Sequence, residues 1–159
     1  MNFDAAFDLL LEHEGGYVND ERDLGGETRF GITVAVAREF GYEGVMRELP
    51  LEVARKIYRD RYWDATVIDG MPLELRFDVF DAAVHSGPKR AIKWLQMAAK
   101  TEATGELDTQ TWLAVRFADP RQLTRRFNGH RLQFLTSLKG WKHFGQGWAR
   151  RVAKNLTRE

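Results

Sequence analysis

Apolar residues recur at spacings of three and four through most of the chain, and no other feature restricts its fold so strongly. Phe3, Phe7 and Leu10 begin the pattern, which returns repeatedly between proline, glycine and capping residues. Helices are predicted over about 3–14, 33–40, 51–63, 74–85, 89–100 and 120–138, with a short helix after Asp108 and a last one from Trp148. A chain with this pattern is mainly α-helical, and its 159 residues are enough for one domain, with or without a division into two lobes.

One stretch, 15–33, interrupts the helical pattern because it is too rich in glycine and polar residues for a helix. We expect a loop with a short hairpin there, in which 17–18 and 30–32 form the strands. Residues 19–20 and 25–26 are the expected turns. Loops held between rigid helices often carry catalytic residues.

A carboxyl group continues the apolar side of the first helix into this loop. Glu14 follows Leu10 by four residues and Phe7 by seven, so a helix directs it towards the apolar side. Burial disfavours the carboxylate anion and raises the pKa, whereas Asp23, among loop amides and water, is expected to stay ionised. The structural alternative is that Glu14 lies in solvent at a frayed helix end.

A protonated and an ionised carboxyl group together suit glycoside hydrolysis, in which one donates a proton and the other acts on water or on developing positive charge. Eight residues separate Glu14 from Asp23, and four separate Asp23 from Thr28. This spacing resembles the Glu/Asp/Thr constellation of the T-even phage lysozymes, in which the second gap is one residue longer. The three residues are therefore candidates for one catalytic cleft.

The run from Glu14 to Asp20, followed by Asp23, Gly25-Gly26, Thr28 and 31–33, more closely resembles the signature of glycoside hydrolase family 108. Members of that family are peptidoglycan N-acetylmuramidases, found as phage endolysins and as bacterial secretion-activator proteins. The resemblance implies a lysozyme-like α+β fold, mainly α, with a small N-terminal hairpin and a helical C-terminal lobe. It also implies that Glu14 is the catalytic acid of an endolysin.

The resemblance continues through Tyr58 to Trp63, 80–88 and 147–152. It implies a catalytic lobe over 1–84 and a helical lobe of the peptidoglycan-binding type over 85–159. His85 stands where the family is expected to have asparagine, and Glu21 and Leu24 replace usual prolines, which should loosen the loop.

The catalytic candidates are thus Glu14, Asp23 and Thr28, and the candidates for binding substrate are Tyr17, Asn19, Tyr62, Trp63 and His85. Aromatic rings such as those of Tyr62 and Trp63 either stack on sugars or pack in the core, and His85 either contacts substrate or is a satisfied core histidine. Thr28 is either part of the site or a hairpin residue. No cofactor or metal is expected, because the chain has no cysteine and His13-Glu14 lacks the second histidine of the helical zinc motif.

Charge is distributed unevenly along the chain. Residues 1–119 carry 14 basic and 22 acidic side chains, whereas residues 120–159 carry 10 basic side chains and one acidic. The basic end is either a solvated helix face or a surface that contacts an anionic envelope, and Arg150, Arg151 and Lys154 are expected on its outer face. No nucleic-acid-binding motif accompanies the charge. The expected partner is the glycan strand of peptidoglycan, and the expected state is a monomer.

The N-terminus has no basic signal region, and no apolar run is long enough to span a membrane. An endolysin of this kind is expected to accumulate in the host cytoplasm and to reach periplasmic peptidoglycan after a holin permeabilises the membrane. Two other functions remain open at this point. One is a lytic transglycosylase, which forms a 1,6-anhydro end and consumes no water, and the other is a non-enzymatic wall-binding or regulatory module.

Overall fold

Helices account for most of the fold in the computed structural model, which describes residues 1–12 and 27–158. The described residues form eight α-helices: α1 (Phe3–Leu11), α2 (Val34–Glu39), α3 (Leu51–Tyr58), α4 (Leu73–Ser86), α5 (Pro88–Ala99), α6 (Thr109–Phe117), α7 (Pro120–Thr136) and α8 (Trp141–Leu156). Strands β1 (Thr28–Arg29) and β2 (Ile32–Thr33) form an antiparallel hairpin between α1 and α2. The fold is therefore mainly α with a small hairpin, as the sequence predicted, and it is consistent with the lysozyme-like fold that the family resemblance implies.

Side-chain caps explain where four of the helices begin. Asn2, Thr33, Asp108 and Asp119 each accept a hydrogen bond from the backbone N–H three residues further on, at 2.7 to 3.3 Å. Such a cap stabilises a helix by about 1 kcal/mol because it satisfies one of the free N–H groups of the first turn. The predicted starts of α1, α2, α6 and α7 are confirmed.

The hairpin differs from its prediction in the position of the turn. Residues 30–32 were expected to form a strand, but Phe30 and Gly31 have φ angles of 53° and 72° and make the turn between the strands. Two consecutive residues with positive φ give the tight turn that matches strand twist. The pairs across the hairpin are Thr28 with Thr33 and Arg29 with Ile32. The other predicted strand, 17–18, lies outside the described residues.

The helix predicted over 51–63 changes its geometry near its end. Regular α-helix stops at Tyr58, and Arg59–Trp63 form a π-helical turn. Single π-helical turns within α-helices occur frequently at functional sites. Here the turn leaves both Tyr58 and Trp63 buried in the core.

The last helix begins seven residues earlier than predicted. We expected an aromatic loop around Gly140, Gly145 and Gly147, but α8 starts at Trp141 and runs through the last two of these glycines. A Cβ atom on Gly145 would lie 2.5 Å from the indole ring of Trp141. Gly145 is therefore required for side-chain packing rather than for chain reversal, and that is why its presence misled the prediction.

Helix α4 lies at the centre of the fold, as its broad apolar surface predicted. Val79, Phe80, Ala82 and Ala83 are completely buried. The Phe80 ring contacts Trp63 at 5.4 Å between ring centres and Phe3 of α1 at 6.0 Å. Helices α5 and α7 pack against α4 from the C-terminal half of the chain, and the division at 84/85 stays a prediction.

In the part of the chain that the structure describes, none of the helices is both long and apolar enough to cross a lipid bilayer.

Candidate active site

Tyr58 connects the two elements that flank the predicted catalytic loop. Its hydroxyl group donates a hydrogen bond of 2.8 Å to the carbonyl oxygen of Phe30 in the hairpin turn. Its ring packs against Phe7 of α1 at 5.5 Å between ring centres. The hairpin is thus held to the core through the same residue that packs on α1. The predicted site residues Glu14, Tyr17, Asn19 and Asp23 lie outside the described residues.

Thr28 is the one catalytic candidate within the described residues. It pairs with Thr33 across the hairpin, and both side chains are half-buried. The neighbouring pair contains Ile32, which is buried in the core. Because successive pairs of a hairpin point to opposite faces, Thr28 lies on the face away from Ile32. Its hydroxyl group is on the side of the hairpin that does not face the core.

The two aromatic candidates of the π-helical turn have different surroundings. Tyr62 is half-buried and packs on Tyr58 at 5.5 Å between ring centres. Trp63 is 0% exposed and contacts Phe3 and Phe80. A ring enclosed in this way offers no face to a sugar, so the expectation that Trp63 binds substrate is corrected: it is a core residue.

His85 lies at the last turn of α4 and is half-buried. Its Nδ1 atom is in hydrogen-bond contact with the Ser86 hydroxyl group at 3.3 Å, and its ring meets the indole of Trp148 at 6.0 Å. Burial, together with the positive charges of Arg131 and Arg151, lowers the pKa of His85 to about 4. The imidazole is therefore neutral near pH 7, and it can donate or accept a hydrogen bond but carries no charge.

A buried ion-pair network lies beside His85 and joins α4 to α7 and α8. The carboxylate of Asp81 accepts hydrogen bonds from Arg131 and Arg151, each at 2.7 Å, and from Asn155 at 2.9 Å. Burial alone would raise the pKa of Asp81, but the two guanidinium groups outweigh that effect and lower it. Arg151, which was expected on the outer face of α8, is thus a partner of a buried carboxylate.

A second buried carboxyl group, Asp78, lies one turn earlier on α4. Its Oδ1 atom accepts a hydrogen bond of 2.6 Å from Asn128 of α7. Burial raises the pKa of Asp78 to about 6, against the opposing effects of Asn128 and of the positive charge of Arg158. This carboxyl group titrates close to neutral pH, whereas that of Asp81 stays ionised.

The sequence pattern did not identify these two carboxyl groups, although it contained a signal for them. Asp78 and Asp81 are three residues apart within a helix that is apolar on most of its surface. Asn128 and Arg131 repeat that spacing on α7, and Arg151 and Asn155 lie four apart on α8. Polar residues at helical spacing on an apolar face indicate a buried polar layer when a neighbouring helix carries partners.

No group of three His, Cys, Asp or Glu side chains within residues 1–12 and 27–158 is arranged to hold a metal ion. The described site candidates Thr28, Tyr62 and His85 carry hydroxyl groups, an imidazole and an aromatic ring. Such groups bind and orient a neutral, hydroxylated substrate.

The comparisons with known proteins agree with this architecture. The family described as Glycosyl hydrolase 108 matches residues 7–87, a range that includes the whole predicted catalytic loop. Among solved structures, SagA from Brucella abortus matches with a TM-score of 0.89 and 32% sequence identity, covering 98% of this chain and 92% of that protein. No curated protein gives a significant match.

Proposed function

The chain belongs to the glycosyl hydrolase 108 family and is a glycoside hydrolase that acts on peptidoglycan, and we propose that it hydrolyses the β-1,4 bond between N-acetylmuramic acid and N-acetylglucosamine. One observation supports this bond and this chemistry above the others. The Glu14, Asp23 and Thr28 pattern falls entirely within the matched range 7–87.

In the proposed reaction, Glu14 donates its proton to the glycosidic oxygen as the bond from that oxygen to the muramic acid C1 breaks. Water supplies the new oxygen on C1. Asp23, assisted by the hydroxyl group of Thr28, positions that water and accepts its proton, or stabilises the positive charge that develops at C1. Attack of water activated by Asp23 inverts the configuration at C1, whereas direct attack by Asp23 retains it.

Substrate binding is proposed for Tyr17, Asn19, Tyr62 and His85. Tyr62 and His85 are half-buried, so part of each side chain is open to a ligand. A neutral imidazole at position 85 can form a hydrogen bond with a sugar amide, as an asparagine side chain would.

We also propose that the enzyme acts as an endolysin during host lysis. The resemblance of its signature to endolysin sequences supports this role. Expression in a bacterial host with and without a holin tests it: lysis only in the presence of the holin is expected, and lysis without one would contradict dependence on a holin.

Mass spectrometry of the muropeptides released from purified sacculi tests the proposed reaction. The wild type should release fragments with reducing muramic acid ends, and Glu14→Gln should lower the rate by about 10²–10⁴-fold. Glu12→Gln is the matched control, since Glu12 is exposed just after the end of α1, and it should keep the wild-type rate. Products with 1,6-anhydro ends would indicate a lytic transglycosylase. Sacculi left intact by the wild type would indicate a wall-binding or regulatory protein.

A further inference from the structure

Three aromatic side chains meet at the beginning of α8. Trp141 and Trp148 are half-buried, and Phe144 is 62% exposed. The ring centre of Trp148 lies 5.9 Å from that of Phe144 and 6.3 Å from that of Trp141. We call these three residues the aromatic patch. Single exposed apolar residues are normal on protein surfaces, but a contiguous group marks an interaction site more often.

Glycines beside the aromatic patch make room for its rings. A Cβ atom on Gly145 would lie 2.5 Å from Trp141, and one on Gly140 would lie 3.1 Å from Trp148. A glycine within a helix makes that helix less stable than an alanine at the same position would. Helix α8 therefore has a less favourable residue at Gly145, where the half-buried indole of Trp141 occupies the space that a Cβ atom would need.

The aromatic patch continues directly into His85, which is proposed to bind substrate. The rings of Trp148 and His85 meet edge to face, with their centres 6.0 Å apart and their planes at 70°. Both side chains are half-buried. An imidazole and three aromatic rings thus form one surface at the junction of α4 and α8.

Exposed basic residues flank the aromatic patch along the chain. Lys139, Lys142 and Arg150 are exposed near it, and residues 120–158 contain 10 basic side chains and no acidic one. Sugar rings present apolar C–H faces that stack on aromatic rings, and the peptide stems of peptidoglycan carry carboxylates. A glycan strand with its stems therefore complements both the rings and the charges of this surface.

We propose that the aromatic patch and His85 bind the peptidoglycan glycan strand beyond the bond that is cleaved. Phe144 and the two indoles stack on sugar rings, and Lys142 and Arg150 face the carboxylates of the peptide stems. The choice of peptidoglycan as the ligand rests on the proposed function.

Cosedimentation with purified sacculi at 4 °C tests this proposal, with every variant made in the full chain carrying Glu14→Gln. Phe144→Ala should raise the dissociation constant about five- to tenfold, because one stacking contact is lost. Phe144→Trp should restore binding. The matched control is Phe117→Ala, since Phe117 is 81% exposed on α6, and it should bind as the parent does. Lys142→Gln combined with Arg150→Gln should weaken binding and reduce its dependence on salt.

Equal binding by the Phe144→Ala variant and its parent would overturn the proposal. So would a loss of binding to phosphatidylglycerol vesicles while binding to sacculi is unchanged, since that result assigns the surface to an anionic membrane. Because Phe144 is mostly exposed, the thermal unfolding temperature of Phe144→Ala should equal that of its parent. If the two temperatures differ, Phe144→Tyr is the variant to use, because it keeps the ring. It should bind sacculi and unfold like the parent. Weaker binding by this folded variant would also count against the proposal.

The muropeptide experiment separates a failure here from a failure of the proposed function. Normal cleavage with sacculus binding that does not depend on Phe144 overturns only the present inference. Binding that depends on Phe144 in a wild-type chain that releases no muropeptides overturns only the proposed hydrolysis.

Discussion

The hydroxyl group of Tyr58 on α3 donates a hydrogen bond to the carbonyl oxygen of Phe30 in the hairpin turn. Phe30 has a φ angle of 53°, which is unfavourable for a residue with a side chain. A hydrogen bond from the core helps to hold the backbone in that conformation. Thr28 lies just before this turn, so its position depends on the same contact.

Tyr58→Phe removes that hydrogen bond and keeps the ring. We expect the free energy of unfolding to fall by about 1 kcal/mol and turnover on sacculi to fall about tenfold, because a misplaced group in a site lowers the rate strongly. Urea unfolding and muropeptide release measure the two effects. Tyr42→Phe is the control, since the Tyr42 hydroxyl group donates a similar bond of 3.0 Å to the carbonyl oxygen of Val45, which is not a hairpin residue. Similar losses of turnover in both variants would contradict a role for the hairpin position.

Thr28 and Thr33, paired across the hairpin, are expected to have different roles. Thr28→Val should lower turnover on sacculi by about tenfold or more with little change in stability, since a hydroxyl group proposed to assist Asp23 is lost. Thr33→Val should instead lower the free energy of unfolding by about 1 kcal/mol, because the Thr33 hydroxyl group caps α2. Steady-state turnover and urea unfolding of the two variants give the comparison. A Thr28→Val variant with full turnover would remove Thr28 from the mechanism.

Asp78 should make stability depend on pH between about 4 and 6. Its pKa is raised to about 6 in the folded chain, so its contribution to stability is present below the unfolded pKa near 4 and is lost as pH rises through 6. Asp78→Asn stays neutral and keeps an acceptor for Asn128. We expect the variant to be more stable than the wild type at pH 7 by about 1–3 kcal/mol and nearly equal to it at pH 4. Urea unfolding at both pH values measures this, and a variant less stable at pH 7 would contradict it.

Asp81 should stabilise the fold in its ionised form, whereas Asp78 does so in its protonated form. Asp81→Asn leaves Arg131 buried without its counter-charge, which should cost about 3–5 kcal/mol of unfolding free energy at pH 7. Because the pKa of Asp81 is lowered, its contribution is present above the unfolded pKa near 4 and is lost as pH falls below it. Urea unfolding measures the effect. The control is Asp4→Asn, which removes an exposed ion pair with Arg55 at 2.8 Å and should cost less than about 1 kcal/mol. Equal costs in the two variants would show that burial adds nothing to the Asp81 pair.

His85→Asn should change the pH dependence of stability but not that of activity. The pKa of His85 is lowered to about 4 by burial and by Arg131 and Arg151, so its contribution to stability is present above about 6.5 and is lost progressively as pH falls towards 4. At pH 4 the free energy of unfolding of the variant should therefore exceed that of the wild type by about 1–2 kcal/mol. This figure is reduced because His85 is partly exposed to solvent. Its pH profile of turnover between 5 and 8 should keep the wild-type shape. A shifted limb in that range would show that His85 titrates during catalysis.

Local chemistry in the sequence predicted much of the fold. The capping residues gave the starts of α1, α2, α6 and α7, because a cap acts within three residues of itself. The same reasoning failed at Gly145, where a glycine serves a contact between side chains within α8. The reasoning also failed at 30–31, because these residues are compatible with either a strand or a turn. Pairing between β1 and β2 makes them a turn.

The candidate site also has some features that the sequence determined and others that depend on the tertiary structure. The sequence by itself determined the family and the spacing of Glu14, Asp23 and Thr28, since a motif is a property of neighbouring residues. Only the tertiary structure decided that Trp63 belongs to the core and that Arg151 pairs with Asp81, 70 residues away in the chain. Burial and ion pairing depend on which helices pack together, and that packing brings together residues whose relation is not visible in their order along the chain.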